Sequence, residues 1–312
     1  MIQNIDCSAV RGFNYQPSYA RNGLDAWLDR FDAKVIENEI GLGKQYFPAI
    51  NTLRLWLSFE AYFVDAKACL SNIETVIGIC NAHGIRVIPV LFNGWHSLPD
   101  FGGISLEQIH GDKIVNLYGP YVEDLVGRYA DDPRVALWDL CNEPFNSAPV
   151  EEVRAPILEW LTRMYNACKS VNATAPVTVS MCPSVGDMKY VESISDILLF
   201  HPYYAWNAWV PEKHMYTDFL DSAVEFAKSV NKPLLATECC WGSSDDIHRS
   251  EIVEFELSEM KKRGIGWTCH LMHHSQVADA HRRWAPGISA GYMAFIEADG
   301  SLRKGHEVYN KF

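Results

Sequence analysis

The stretch Val135-Ala136-Leu137-Trp138-Asp139-Leu140-Cys141-Asn142-Glu143-Pro144 decides how the rest of the chain is read. Apart from Asp139, the run from Val135 to Cys141 is apolar without alternation, the pattern of a strand covered on both faces. It ends in an amide, a carboxylate and a proline. Runs of the same kind recur on either side, at Ala9–Tyr15, Asn51–Leu57, Arg86–Phe92, Val177–Cys182, Ile197–His201, Leu234–Glu238 and Gly264–His270.

Helical stretches separate these runs. Ser71-Asn72-Ile73-Glu74 has the form of a capping box, predicting a helix that runs to His83 and stops at Gly84. A second helix is expected from about Asp112 to Ala130 and a long one after Pro149. A further helix, Ser250–Arg263, ends in basic residues before Gly264. A short one, Asp187–Ser195, fits the narrow gap between the fifth and sixth strands. Eight strands with intervening helices in a chain of this length are the arithmetic of a (β/α)₈ TIM barrel, here one α/β domain over residues 1–312. Asn93–Gly111 reads as a loop over the barrel mouth, and Asp245-Asp246 as a solvated turn. A doubly wound open sheet is the alternative, but Gly12-Phe13-Asn14-Tyr15 lacks its glycine-rich phosphate turn.

Composition narrows the field. The chain has 312 residues, 48% of them hydrophobic, which excludes disorder. With 27 basic against 39 acidic residues the net charge is −12, which argues against nucleic acid or an anionic membrane as partner. No run approaches the roughly 20 apolar residues of a membrane span. Met1-Ile2-Gln3-Asn4-Ile5-Asp6 has neither a basic nor an apolar leader region, so a cytoplasmic location is expected. The nine cysteines show no framework spacing and read as buried, reduced thiols, the adjacent Cys239-Cys240 included.

In such a barrel chemistry collects at the carboxyl ends of the strands. The fourth strand ends at Glu143 and the seventh at Glu238. A lone glutamate there is most simply an ion-pair partner or a neighbour of a helix cap. Two of them, on strands three apart and each after an apolar run, match paired carboxylates facing across a cleft, the equipment for cleaving a glycosidic bond.

Asn142-Glu143-Pro144 and Glu238, with Arg11-Gly12-Phe13-Asn14-Tyr15, Leu53-Arg54-Leu55 and Phe200-His201-Pro202-Tyr203, resemble the retaining glycoside hydrolases of clan A, family 5 in particular. The resemblance runs nearly the length of the chain. It implies hydrolysis of β-glycosidic bonds in oligo- or polysaccharides, with no metal and no organic cofactor. Glu143 would be the acid/base and Glu238 the nucleophile. Asn142 would bind the sugar 2-hydroxyl, Arg54 would hold Glu238 ionised, Tyr203 would hydrogen-bond it, and His201 would lie near Glu143. The carboxyls should stand roughly 5–5.5 Å apart, where like charges disfavour double ionisation.

Two positions depart from the family pattern. At the end of the third strand a histidine is usual, and here either Asn93 stands in or His96 reaches in from the loop. The eighth strand usually ends in a tryptophan, and in register that place falls to His270, with Trp267 three residues earlier. Among the aromatics, Trp206, Trp209 and Trp241 suit sugar contact best, while Trp27, Trp138 and Trp160 read as structural. Asp139 is assigned no catalytic role. Two rivals share the fold. One is a barrel that binds carbohydrate without turnover. The other is a metal-dependent hydrolase built on His270, His273 and His274, which chelation would distinguish.

Overall fold

The computed structural model describes residues 5–94, 104–146, 148, 150–181, 184–205, 211–243, 245–277 and 293–312. Eight strands follow one another in space as they do in sequence: β1 (Arg11–Tyr15), β2 (Thr52–Trp56), β3 (Arg86–Asn93), β4 (Trp138–Asn142), β5 (Val177–Met181), β6 (Leu198–Phe200), β7 (Leu234–Ala236) and β8 (Gly266–Cys269). Every pair is parallel, and β8 closes on β1 through Gly12↔Thr268 and Phe13↔Cys269. That closure excludes the open sheet. Every strand lies inside or within a residue of its expected run.

Helices coat the barrel: α1 (Ala33–Tyr46), α2 (Phe59–Val64), α3 (Ala66–Ala82), α4 (Leu106–Val115), α5 (Tyr118–Arg128), α6 (Glu151–Ser170), α7 (Val185–Val191), α8 (Lys213–Ser229) and α9 (Asp246–Lys262). Among the described residues none is long and apolar enough to cross a membrane. Several boundaries differ from the sequence reading, among them that of α7, Val185–Val191 where Asp187–Ser195 was expected. α3 starts at Ala66, not at Ser71, because Asp65 caps it by accepting from the Ala68 N–H at 2.9 Å. Its buried stripe already includes Cys69 and Leu70.

The single helix expected from Asp112 to Ala130 is two helices. The Asp112 carboxylate turns inward and accepts from the N–H groups of Leu117 and Tyr118 at 2.8 and 3.0 Å, and Asn116 takes a left-handed φ of 51° between α4 and α5. Of the expected loop Asn93–Gly111, residues 95–103 lie outside the described residues, and its last part is α4, opened by a true capping box between Ser105 and Gln108. α9 starts at Asp246 rather than Ser250: Asp245, exposed to solvent, caps it, and Asp246 pairs with Arg303 at 2.7 Å. The glycines placed as helix stops, Gly84 and Gly264, both have φ near +70°.

Packing divides the core by position. The large cluster between strands and helices includes Phe13, Leu53, Val87, Leu140 and Trp160. A second cluster of Ile5, Cys7, Val10, Ile88, Leu137, Leu199 and Leu235 fills the amino-terminal end of the barrel as a floor. Buried polar groups therefore have one place left inside the ring, toward the carboxyl ends.

A bulge in β4 populates that place. Asp139 pairs with Thr178 and Asn142 with Ser180, so three steps on β4 oppose two on β5. Residues three apart on a regular strand point to opposite faces. The extra residue re-aims the strand, and Asp139 and Asn142 both reach Arg54 in the barrel interior.

Candidate active site

Arg54, from β2, is completely buried and organises the site. Its Nη1 donates to Glu238 Oε1 at 2.6 Å and to Asn14 Oδ1 at 2.8 Å. Nε and Nη2 together hold Asp139 Oδ2 at 3.0 and 2.8 Å, and Nη2 also donates to Asn142 Oδ1 and Ser180 Oγ at 2.8 and 3.1 Å. Burial alone would discharge this guanidinium, but Asp139 and Glu238 outweigh it and hold its pKa above the ordinary value. One cation thus ties together the ends of β1, β2, β4 and β5 and the residue beyond β7.

Glu238 follows β7. Its second oxygen, Oε2, accepts from the Tyr203 hydroxyl at 2.6 Å. Burial raises its pKa, but His201, Arg54, His270 and the Tyr203 hydrogen bond outweigh that and bring it down to about 2. Tyr203 moves the other way, pushed well above the usual phenol value by burial and by Glu238, and so stays a neutral donor.

Glu143 leaves β4 with a left-handed φ of 45°, a conformation that residues with a side chain seldom adopt. Its N–H donates to Ser180 O at 2.9 Å, and Gly94 packs against the turn so closely that a Cβ there would meet Pro144 Cα at 2.3 Å. His201 Nδ1 lies 2.5 Å from Glu143 Oε1 and 3.7 Å from Glu238 Oε2, and Asn146 donates to Glu143 Oε2. One oxygen of each carboxylate and a ring nitrogen of His201 all lie within 4.8 Å of one another. The two acids meet at the carboxyl end of the barrel, where both are only 6–7% exposed.

Asn93, at the end of β3, accepts from Asn142 Nδ2 at 3.1 Å, and this sets the Asn142 amide with its oxygen toward Arg54. His270 follows β8 and is buried. Trp241 is largely covered and packs edge-on against Tyr203, with ring centroids 5.3 Å apart. His96, Trp206 and Trp209 lie outside the described residues.

Asp139, which by alternation with Trp138 could face the barrel interior and was given no catalytic role, does face it and is held there by Arg54. The sequence reading passed over Asn14, Ser180 and Asn146. Of these, Asn14 lay in a quoted motif, while Ser180 and Asn146 carried no mark.

The three histidines proposed as a metal set do not converge. His270 stands beside Glu238, whereas His273 bonds the His274 carbonyl at 3.0 Å and sits 3.9 Å from Glu39, beside α1 rather than in the acid pair. Glu143, His201 and Glu238 form a donor set on paper. Both oxygens of Glu238 are already taken by proton donors, one of them a guanidinium that would repel a cation.

Comparison with known proteins agrees with this geometry. The model of the cellulase family (glycosyl hydrolase family 5) matches residues 48–276. The chain belongs to glycosyl hydrolase family 5. Over 113 residues it is 28% identical to a probable mannan endo-1,4-beta-mannosidase F of Aspergillus flavus, a match covering 34% of this chain and 24% of that protein. The matched segment is thus about a quarter of the curated relative's length. Among solved structures, the exo-beta-1,4-mannosidase of Opitutaceae bacterium strain TAV5 superposes with a TM-score of 0.73 at 17% identity, covering 97% of this chain and 58% of that one. The endo-beta-1,4-mannanase of Thermotoga petrophila gives 0.69 at 17%, covering 97% and 75%. At such identities these structures bear on the fold alone.

Proposed function

We propose that this chain hydrolyses β-glycosidic bonds with net retention of configuration, and that β-1,4-linked mannosides are its substrate class. The observation that carries the reaction is that one oxygen of Glu143 and one of Glu238 lie within 4.8 Å of each other, which favours the close spacing of a retaining pair over the roughly 6.5–9.5 Å of an inverting one. The names of the relatives support the sugar.

In the first step Glu238 attacks the anomeric carbon while Glu143 gives its proton to the departing glycosidic oxygen. An ester forms between Glu238 and the sugar, and the aglycone leaves as an alcohol. In the second step a water gives a proton to Glu143 as its oxygen attacks the same carbon, and Glu238 leaves as a carboxylate.

The surrounding residues set this up. Arg54 and Tyr203 aim both oxygens of Glu238 and keep it charged. His201 and Asn146 fix the Glu143 carboxyl, and Asn142, oriented by Asn93, presents its amide to the sugar 2-hydroxyl. His270 and Trp241 stand at the rim of the same site and contact the sugar. No step needs a metal or an organic cofactor.

Replacing Glu238 by Ala should abolish turnover of aryl β-mannosides, and azide should then restore it, giving the α-glycosyl azide. Replacing Glu143 by Ala should spare substrates with acidic leaving groups. Failure of azide rescue, or equal loss on all leaving groups, would refute the assignment.

A further inference from the structure

The carboxylate chemistry leaves a second cluster beside the site unused. Cys239 and Cys240 directly follow Glu238, and Cys269 is the last residue of β8. Their sulfurs form a nearly equilateral triangle: 3.7 Å from Cys239 to Cys240, 3.7 Å from Cys239 to Cys269 and 3.6 Å from Cys240 to Cys269. All three are buried and none is in a disulfide. Neighbours on an extended chain point to opposite sides. Cys240 breaks that alternation with a left-handed φ of 67°, which lets both neighbouring sulfurs face Cys269.

The triangle has the dimensions of one face of a metal tetrahedron. A cation about 2.3 Å from each sulfur, the zinc–thiolate distance, would stand about 0.9 Å off their plane with S–M–S angles of about 105°.

The charge nearby also fits. Arg249 is completely buried, and it donates to the carbonyls of Cys240 at 3.0 and 3.2 Å, His270 at 3.2 Å and Ala294 at 3.1 Å. The carboxylate that acts on it is the buried Glu256, which accepts from the Cys240 N–H at 2.6 Å but, among the described residues, makes no direct ion pair with the guanidinium. A buried cation in no direct contact with an anion is costly. Three thiolates around a divalent ion carry one net negative charge, which would neutralise it.

We propose that Cys239, Cys240 and Cys269 form a binding site for a thiophilic d¹⁰ divalent cation, Zn²⁺ or Cd²⁺, in the wall behind the nucleophile. The site clamps the chain after β7 to the end of β8. It is independent of the glycosidase reading, since none of its ligands takes part in bond cleavage.

The test is to produce the full chain in zinc-supplemented medium, purify it without chelator and measure metal, then repeat with cadmium. One metal per chain is expected, with a thiolate-to-cadmium charge-transfer band in the ultraviolet and a cadmium NMR shift in the sulfur-ligated range. Cys240→Ser and Cys269→Ser, checked for folding by circular dichroism, should each weaken binding at least about 10-fold, whereas Cys80→Ser, on α3, should not. The NMR shift counts sulfur ligands in the unaltered protein, so it decides the matter even where a variant fails to fold. Absence of stoichiometric metal, a shift typical of oxygen or nitrogen ligands, or binding unchanged in both variants would overturn the proposal.

Discussion

At the scale of single residues, the site is a contest over one buried guanidinium. Arg54 faces two carboxylates, and only Glu238 is left for chemistry, because Asp139 takes two of Arg54's nitrogens deeper in the barrel. Asp139 is therefore a positioning residue: it fixes the cation that fixes Glu238, the proposed nucleophile. Removing one partner of a buried ion pair leaves the other uncompensated, so Asp139→Asn should destabilise the fold by about 3 kcal/mol or more. Urea unfolding should show this as a lower midpoint with unchanged slope, and an unchanged midpoint would remove Asp139 from the account. Tyr203 acts on the same carboxylate from the other side. Glu238, held down to about 2, lies below its unfolded value. Its ionisation therefore stabilises the fold above the unfolded pKa, and that contribution is lost as pH falls through about 2. The same shift favours the charged form that the proposed nucleophile needs. Tyr203→Phe removes a hydrogen bond to the charged form, so the acid limb of kcat/KM should rise by up to about one pH unit. An acid limb that stays in place would show that the hydroxyl does not tune Glu238. Glu143, Glu238, Arg54 and Tyr203 were legible because their types and order match a chemistry. The inward direction of Asp139 was legible but its partner was not, because a buried acid announces only that it has one, and Arg54 is on another strand.

At the scale of elements, the site depends on two local irregularities that no periodicity reveals. The β4 bulge turns Asp139 and Asn142 inward together, and the left-handed turn at Glu143 carries the acid over the mouth. Both lie where β3 and β4 end side by side, and Gly94 lets them approach. Its N–H donates to Asn142 O at 2.7 Å, and a Cβ would sit 2.3 Å from Pro144 Cα and 2.8 Å from Glu143 O. Gly94→Ala must push the Glu143 turn aside by a sizeable fraction of an ångström. A displacement of about 1 Å at a reacting group costs on the order of 100-fold in rate. The expected result is a loss of that order in kcat with KM less affected. Full activity would mean that the turn is not what places the acid. Helix starts were misjudged for a related reason: Asp65 and Asp112 act as caps through side chains whose direction the sequence does not display, and Ser71 has the letters of a cap but lies within α3.

At the scale of the whole molecule, the fold was legible because eight covered strands leave eight apolar runs, and a closed parallel ring is the arrangement that covers them all. The floor of Ile88, Leu199 and Leu235 fills the amino-terminal end, so charged groups gather at the other. What the ring adds is convergence. The ends of β1, β2, β4 and β5 and the residues beyond β6 and β7 supply Asn14, Arg54, Asn142, Glu143, Ser180, His201, Tyr203 and Glu238 to one small volume, although they are scattered over more than two hundred positions of the chain. In the proposed reaction Glu143 and Glu238 act in two successive displacements at one anomeric carbon. Proton NMR of a β-mannoside during the first minutes of hydrolysis tests it most directly, because the anomer formed first is seen before mutarotation mixes the two. Two displacements predict the β-hemiacetal as first product; the α-anomer would mean a single displacement by water and would rule out a glycosyl ester on Glu238.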